Sequence, residues 1–217
     1  MKYKSLKTTL TALLMGFMSI GSATANIMSF DISMVVDNDF AVFSGNSTSI
    51  NNLMYQNNEV WMDQIDNLST LDFTLAAGDD RFYVLAMGGG GPEENISGLV
   101  NGVNITSLSV SMSSDLVQFL SGYNLGGVAA GTYNASLADV QTAFSAATWG
   151  SPTLDSSQTV IVRSGFGSGF NFGTGTAHLF SFDAADVGVD VTDVPEPSTL
   201  AIFALGIIGL TTRRFKK

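Results

Sequence analysis

Residues 70–75, Thr-Leu-Asp-Phe-Thr-Leu, and residues 81–87, Arg-Phe-Tyr-Val-Leu-Ala-Met, flank the turn-forming run Ala-Ala-Gly-Asp-Asp at 76–80. In the first stretch Leu71, Phe73 and Leu75 alternate with Thr70, Asp72 and Thr74, the period of a half-buried antiparallel strand. Similar short runs at 39–43, 105–112, 159–163 and 177–182 are separated by Gly, Asn, Asp and Ser clusters, the punctuation expected between strands. One stretch has helical spacing instead. Within 137–147, Leu137, Val140, Ala143 and Phe144 fall on one face, with Ser136 placed as an N-cap. The sequence predicts an all-β class: a single antiparallel β-sandwich or jelly roll with one short helix. No internal repeat is visible.

The chain has 217 residues, a formal charge of −10, no cysteine and one histidine, His178. Once both terminal segments described below are set aside, residues 26–194 remain, enough for one domain with a real core. Only Arg81 and Arg163 lie there, against 18 acids, a net −16. So acidic a region repels phosphate backbones and argues against nucleic-acid binding. It suits a soluble, salt-tolerant exported surface, compatible with cations or neutral polymers. Lack of cysteine excludes a disulfide scaffold, a thiolate zinc site, a cysteine nucleophile and a lipobox.

Residues 1–25 read as a secretory signal. Lys2, Lys4 and Lys7 give a positive start, residues 10–20 an apolar stretch, and Ala23-Thr24-Ala25 an A-x-A site that places cleavage before Asn26. The other end opens on Pro195-Glu196-Pro197-Ser198, continues through an apolar run centred on 200–210, and ends on the basic residues Arg213, Arg214, Lys216 and Lys217. Basic residues beside an apolar run stay cytoplasmic, so residues 198–212 would cross the membrane outside-to-inside. The run is short. Even 18 residues cover about 27 Å, against a hydrocarbon core of about 30 Å. Such a span suits temporary anchoring.

This order of motif, short span and basic cluster resembles the PEP-CTERM sorting signal of exported Gram-negative bacterial proteins. The resemblance implies a chain exported by the secretion machinery, held transiently as a single-pass membrane protein, and cleaved near Pro195, Glu196 and Pro197 by exosortase. It also implies delivery to the cell surface or exopolysaccharide matrix. Those three residues would act as substrate, not catalyst.

A second resemblance lies within 26–194. The runs Val36-Asp-Asn-Asp-Phe-Ala-Val-Phe43, Val60-Trp61 and 73–87 are similar to galactose-binding-domain-like jelly rolls. That likeness implies a tryptophan-bearing strand and a hairpin turning at Gly78-Asp79-Asp80. The run Phe43-Ser-Gly45 departs from the usual ending of the first hairpin.

Candidate chemistry is sparse. His178 sits in an apolar strand beside Phe180 and Phe182, and no Gly-x-Ser-x-Gly elbow accompanies it: in 165–169 Ser168 falls one place late. The glycine runs 88–91 and 165–175 contain no Gly-Lys-Ser/Thr phosphate-loop ending and read as turns. Asp37, Asn38, Asp39, Asp79, Asp80, Glu93 and Glu94 are hard oxygen ligands, and Asp37, Asp39 and Glu93 are the candidate set for a structural calcium, although the EF-hand pattern is absent. Trp61, Trp149, Tyr55, Tyr83, Tyr123 and Tyr133 could offer a sugar-stacking surface or simply fill the core. Five Asn-x-Ser/Thr triplets, at Asn46, Asn67, Asn95, Asn104 and Asn134, are close to chance in so Asn- and Ser-rich a chain.

The leading expectation is a structural or adhesive, non-enzymatic protein of the cell surface or extracellular matrix. The alternative is a carbohydrate-binding module acting on exopolysaccharide. A third is a secreted hydrolase with paired carboxylates, which would need separations of about 5–5.5 Å or 6.5–9.5 Å.

Overall fold

The computed structural model describes residues 28–57, 59–68, 70–91, 94–123, 133–187 and 189–190. Chain order runs β1 (Met28–Val36), β2 (Asp39–Asn46), β3 (Ser49–Asn57), α1 (Trp61–Asp66), β4 (Leu71–Thr74), β5 (Arg81–Met87), β6 (Asn95–Val100), β7 (Val103–Asn104) and β8 (Val110–Ser113). It continues through α2 (Leu137–Ala146), β9 (Trp149–Gly150), β10 (Thr153–Asp155), α3 (Thr159–Ser164), β11 (Gly169–Asn171), β12 (Ala177–Asp183), α4 (Ala184–Val187) and β13 (Val189–Asp190).

These strands make two antiparallel sheets. One is ordered β10-β11-β6-β1-β13, with β4 also on β1 and β7 on β6; the other is β3-β2-β5-β12-β8-β9. Their facing sides close one core. Phe30, Ile32, Met34 and Val36 of β1, with Ile96, Val100 and Phe170, meet Phe40, Val42, Phe82, Val84, Ala86, Phe180 and Phe182 of the second sheet. Phe82 stacks between Phe30 and Phe182, with ring centroids at 4.4 Å and 4.7 Å. Each ring so buried contributes about 1.5–3 kcal/mol through transfer from water. The mostly-β expectation therefore holds, with two packed antiparallel sheets.

A second core lies on the far face of the six-stranded sheet. Ala41, Phe43, Leu85, Met87, Ala177 and Leu179 point away from the first sheet and are covered by Leu116, Leu120, Tyr133, Ala135, Val140 and Ala143. Helix α2 forms where its periodicity predicts, with Val140 and Ala143 buried. Ser136 occupies the N-cap in extended conformation, but its side chain makes no capping bond. Gln56 ties this layer down: its Oε1 accepts from the Ala135 amide at 2.8 Å, and its Nε2 donates to the Tyr133 carbonyl at 3.1 Å.

Four expectations are corrected. Residues 159–163 are helical, not extended. Val160 and Ile161 are buried side by side while Val162 is 63 % exposed, which no strand alternation gives. The helix ends on Gly165 at φ 77°, a left-handed cap that glycine adopts without strain. Residues 105–112 split: Asn104 accepts from the Thr106 amide and caps a 3₁₀ turn, and the strand resumes only at Val110. Trp61 starts a helix rather than lying in a strand. Finally, β4 and β5 form no hairpin; β4 pairs with β1, and β5 with β2 and β12, so the 76–80 turn carries the chain from one sheet to the other. Four α-helical segments stand among the described residues, where one was expected.

Candidate functional site

Strand alternation sorts β5 and β12 into two faces. The outward residues of β5 are Met87, Leu85, Tyr83 and Arg81; those of β12 are Ala177, Leu179, Ser181 and Asp183. Their registers pair Arg81 with Asp183, Tyr83 with Ser181 and Leu85 with Leu179. The apolar end of this row lies under the α2 layer. At the other end the cover stops, and a pocket of about 150 Å³ opens between Ser47, Arg81, Tyr83, Ser111, Phe144, Trp149 and Ser181.

Its aromatic wall is braced edge to face. Tyr83 and Phe144 centroids lie 5.5 Å apart at 80°, Phe144 and Trp149 5.8 Å apart at 62°, and Tyr83 and Trp149 6.1 Å apart. Trp149 keeps 38 % of its surface exposed. The Tyr83 hydroxyl donates to the Asn46 carbonyl at 2.6 Å. Burial pushes its pKa up to about 12, with Ser181 and Arg81 pulling the other way. The Arg81 Nη1 donates to Ser181 Oγ at 3.3 Å, and Nη2 pairs with Asp183 Oδ2 at 3.1 Å, with Asp80 at 4.0 Å from Nε.

Of the six aromatics flagged in the sequence, only Tyr83 and Trp149 meet here. Tyr55 packs against the inter-sheet core. Tyr123 and Tyr133 pair with each other at 5.1 Å, and Trp61 lies under the Arg163 guanidinium at 5.4 Å. Ser47, Arg81, Ser111, Phe144 and Ser181 carried no sequence signal for this site, because one turn and four separate elements bring them together.

The acidic candidates divide. Asp79 is buried and structural: its Oδ2 accepts from Ser44 at 2.5 Å and its Oδ1 from Asn51 Nδ2 at 2.5 Å. Glu93 lies outside the described residues. The acid brought toward Asp37 is Glu94, fully buried, its Oε2 accepting from the Gly89 amide at 3.0 Å. Burial first, then the Asp37 charge, pushes Glu94 up to about 8, against the pull of the Gly89, Gly91 and Gly175 amides. The Tyr123 hydroxyl donates to the Gly88 carbonyl. A Cβ on Gly88 would sit 2.6 Å from Glu94 Oε2, and one on Gly89 1.9 Å from Asn38 Nδ2. Gly88 and Gly89 thus let backbone wrap the buried Glu94 and the half-buried Asn38. Among the described residues no group of three His, Asp or Glu side chains is placed to hold a metal ion; the calcium set of Asp37, Asp39 and Glu93 includes Glu93 and so falls partly outside them.

His178 is buried. Its Nδ1 lies 2.8 Å from the Ser113 carbonyl and its Nε2 3.0 Å from Thr176 Oγ1, so both ring nitrogens are used in packing.

The signal-cleavage residues Ala23, Ala25 and Asn26, the span 198–212, the motif Pro195, Glu196 and Pro197, and the basic residues Arg213, Arg214, Lys216 and Lys217 lie outside the described residues. Among the described residues no helix is long and apolar enough to cross a membrane. The tail is decided by comparison with known families. Residues 193–217 match the PEP-CTERM protein-sorting motif. A PEP-CTERM signal implies export, membrane anchoring before cleavage, and exosortase as processing partner. No curated protein and no solved structure matches the chain.

Proposed function

We propose that this chain is a structural or adhesive, non-enzymatic component of the cell surface or extracellular matrix, set free from its membrane anchor by exosortase. The observation that carries the reading is the PEP-CTERM match at 193–217. Physical chemistry gives the motif its role. Two prolines fix φ near −65° and remove two backbone donors, and each pushes the residue before it to extended geometry. On the sequence alone, Pro195 and Pro197 are expected to hold Glu196 extended, as a strip that a membrane-embedded enzyme could read. A plain stop-transfer anchor needs no such strip.

The test is Pro195→Ala with Pro197→Ala in the exporting host. The double variant should insert like wild type, stay full length and remain in the membrane fraction. Shortening and release at the wild-type rate would make the tail an ordinary anchor and remove the reading.

A second reading, a carbohydrate-binding module, is favoured by the half-exposed Trp149 beside Tyr83, Phe144 and the polar residues of the pocket. An indole face and a ring of hydroxyls suit the two-sided character of a sugar ring.

A further inference from the structure

The outward row of β5 and β12 changes character within one strand length. Leu85 and Leu179 are sealed in the outer core that also holds Val140 and Ala143; two residues further on, Tyr83 and Ser181 line an open pocket. Helix α2 ends at Ala146 and β9 brings Trp149 back to the sheet edge beside Ser113. The cover stops at the line where the sheet turns polar.

We propose that this pocket binds one ring of a neutral saccharide, with Trp149 as the stacking face and Arg81, Ser111, Ser181 and Ser47 as the hydroxyl-binding rim. The proposal rests on the carbohydrate reading above and narrows it to a site and a charge class. Four observations support it. The indole is held by ring contacts to both Tyr83 and Phe144, so a stacking surface is already ordered before a ligand arrives. The rim offers three serine hydroxyls and a guanidinium, and a wholly apolar ligand would strip water from these groups without replacing the hydrogen bonds. The Arg81 charge is already met by Asp183 at 3.1 Å and Asp80 at 4.0 Å, so no net positive charge is left for a carboxylate or phosphate. The surrounding region carries a net −16, which repels anionic sugars further.

The experiment uses the full chain in a non-glycosidic detergent, in a Trp61→Phe background that leaves Trp149 as the sole tryptophan. Native gels containing dextran, galactomannan or hydroxyethyl cellulose are compared with gels containing alginate, a uronate polymer. The expected result is retardation by at least one neutral polymer, a blue shift or quenching of Trp149 emission by the same polymer, and no retardation by alginate. Trp149→Ala should weaken retardation at least tenfold. Ser111→Phe, which fills the pocket from an outward position on β8, should do the same if Trp149→Ala loosens the sheet edge. No retardation by any neutral polymer overturns both the site and the carbohydrate reading. Retardation that survives both substitutions overturns the site and leaves that reading standing. Stronger retardation by alginate overturns the neutral class.

Discussion

The two faces of the six-stranded sheet come from the same strands and meet different partners. Its inner face presents Phe82, Val84, Ala86, Phe180 and Phe182 to another sheet, and a stack of phenyl rings closes the gap. Its outer face presents Leu85, Met87, Ala177 and Leu179 to a layer built from α2 and from the segments around Leu116, Leu120 and Tyr133, and then runs out into the Trp149 pocket. Two sheets packed face to face leave little room for adjustment, whereas a helix on a sheet can end early. The inner face thus carries the larger aromatic stack, and the outer face carries the polar–aromatic opening lined by Trp149.

That contrast breaks most sharply at Phe82. Its ring touches Phe30 across the sheets and Phe182 within its own, and it is fully buried. Phe82→Ala should cost about 3–5 kcal/mol, a large part of the 5–15 kcal/mol that holds a typical domain. Urea unfolding should show the whole transition moving to lower denaturant, in both sheets together. Loss of only the α2 layer would mean that the inner stack is not the shared core.

On the outer face the matching change is Leu179→Ala, also fully buried. The expected cost is about 2–5 kcal/mol, toward the lower end because α2 can settle toward the gap. Hydrogen exchange should rise first in 137–146 and in the amides near Ala135, while β1 and β5 stay protected. Equal loosening of β1 would show that the two faces form one cooperative unit.

The same contrast explains what the sequence made legible. Residues 81–87 and 177–182 read correctly as strands because a sheet covered on both faces gives short, nearly continuous apolar runs. Helix α2 was visible because only one of its faces is buried. Residues 159–163 misled for a physical reason: Val-Ile-Val has strong β propensity, but Gly165 caps a helix there and two adjacent residues pack on the sheet. Strand β6 does not stand out by periodicity, because Gly98 sits in its middle, where a Cβ would lie 2.6 Å from the Ser33 carbonyl; only the jelly-roll resemblance implies a strand within 88–103. That close approach belongs to the partner strand and leaves no local mark. The pocket was half legible: Tyr83 and Trp149 stand out as aromatics, while Arg81, Ser111 and Ser181 gain meaning only from the register of β5, β8 and β12. The sorting tail was the most legible segment, since its motif, span and charges are contiguous.

The smallest expected effect sharpens the comparison at the edge of the inner core. Glu94 precedes β6 in the first sheet and is enclosed by the 88–91 connection arriving from β5 in the second. Its carboxyl is pushed up to about 8, chiefly by burial and then by Asp37, from an ordinary value of 4.5. Tyr123, the phenol beside it, is raised as well by burial and by the Glu94 charge, and stays protonated through this range. Between pH 4.5 and 8 the folded chain therefore holds a proton on Glu94 that the unfolded chain has released. Stability from this group is fully present below about pH 4.5 and falls as pH rises toward 8, with a slope of at most about 1.4 kcal/mol per pH unit. Glu94→Gln keeps the shape and stays neutral, so its slope should be flatter than that of wild type, with the variant gaining most above pH 8. Urea midpoints at pH 5, 6.5 and 8 measure the difference directly. Parallel slopes for the two proteins would mean that Glu94 is ionised inside the fold and that the glycine amides, rather than a bound proton, hold its charge.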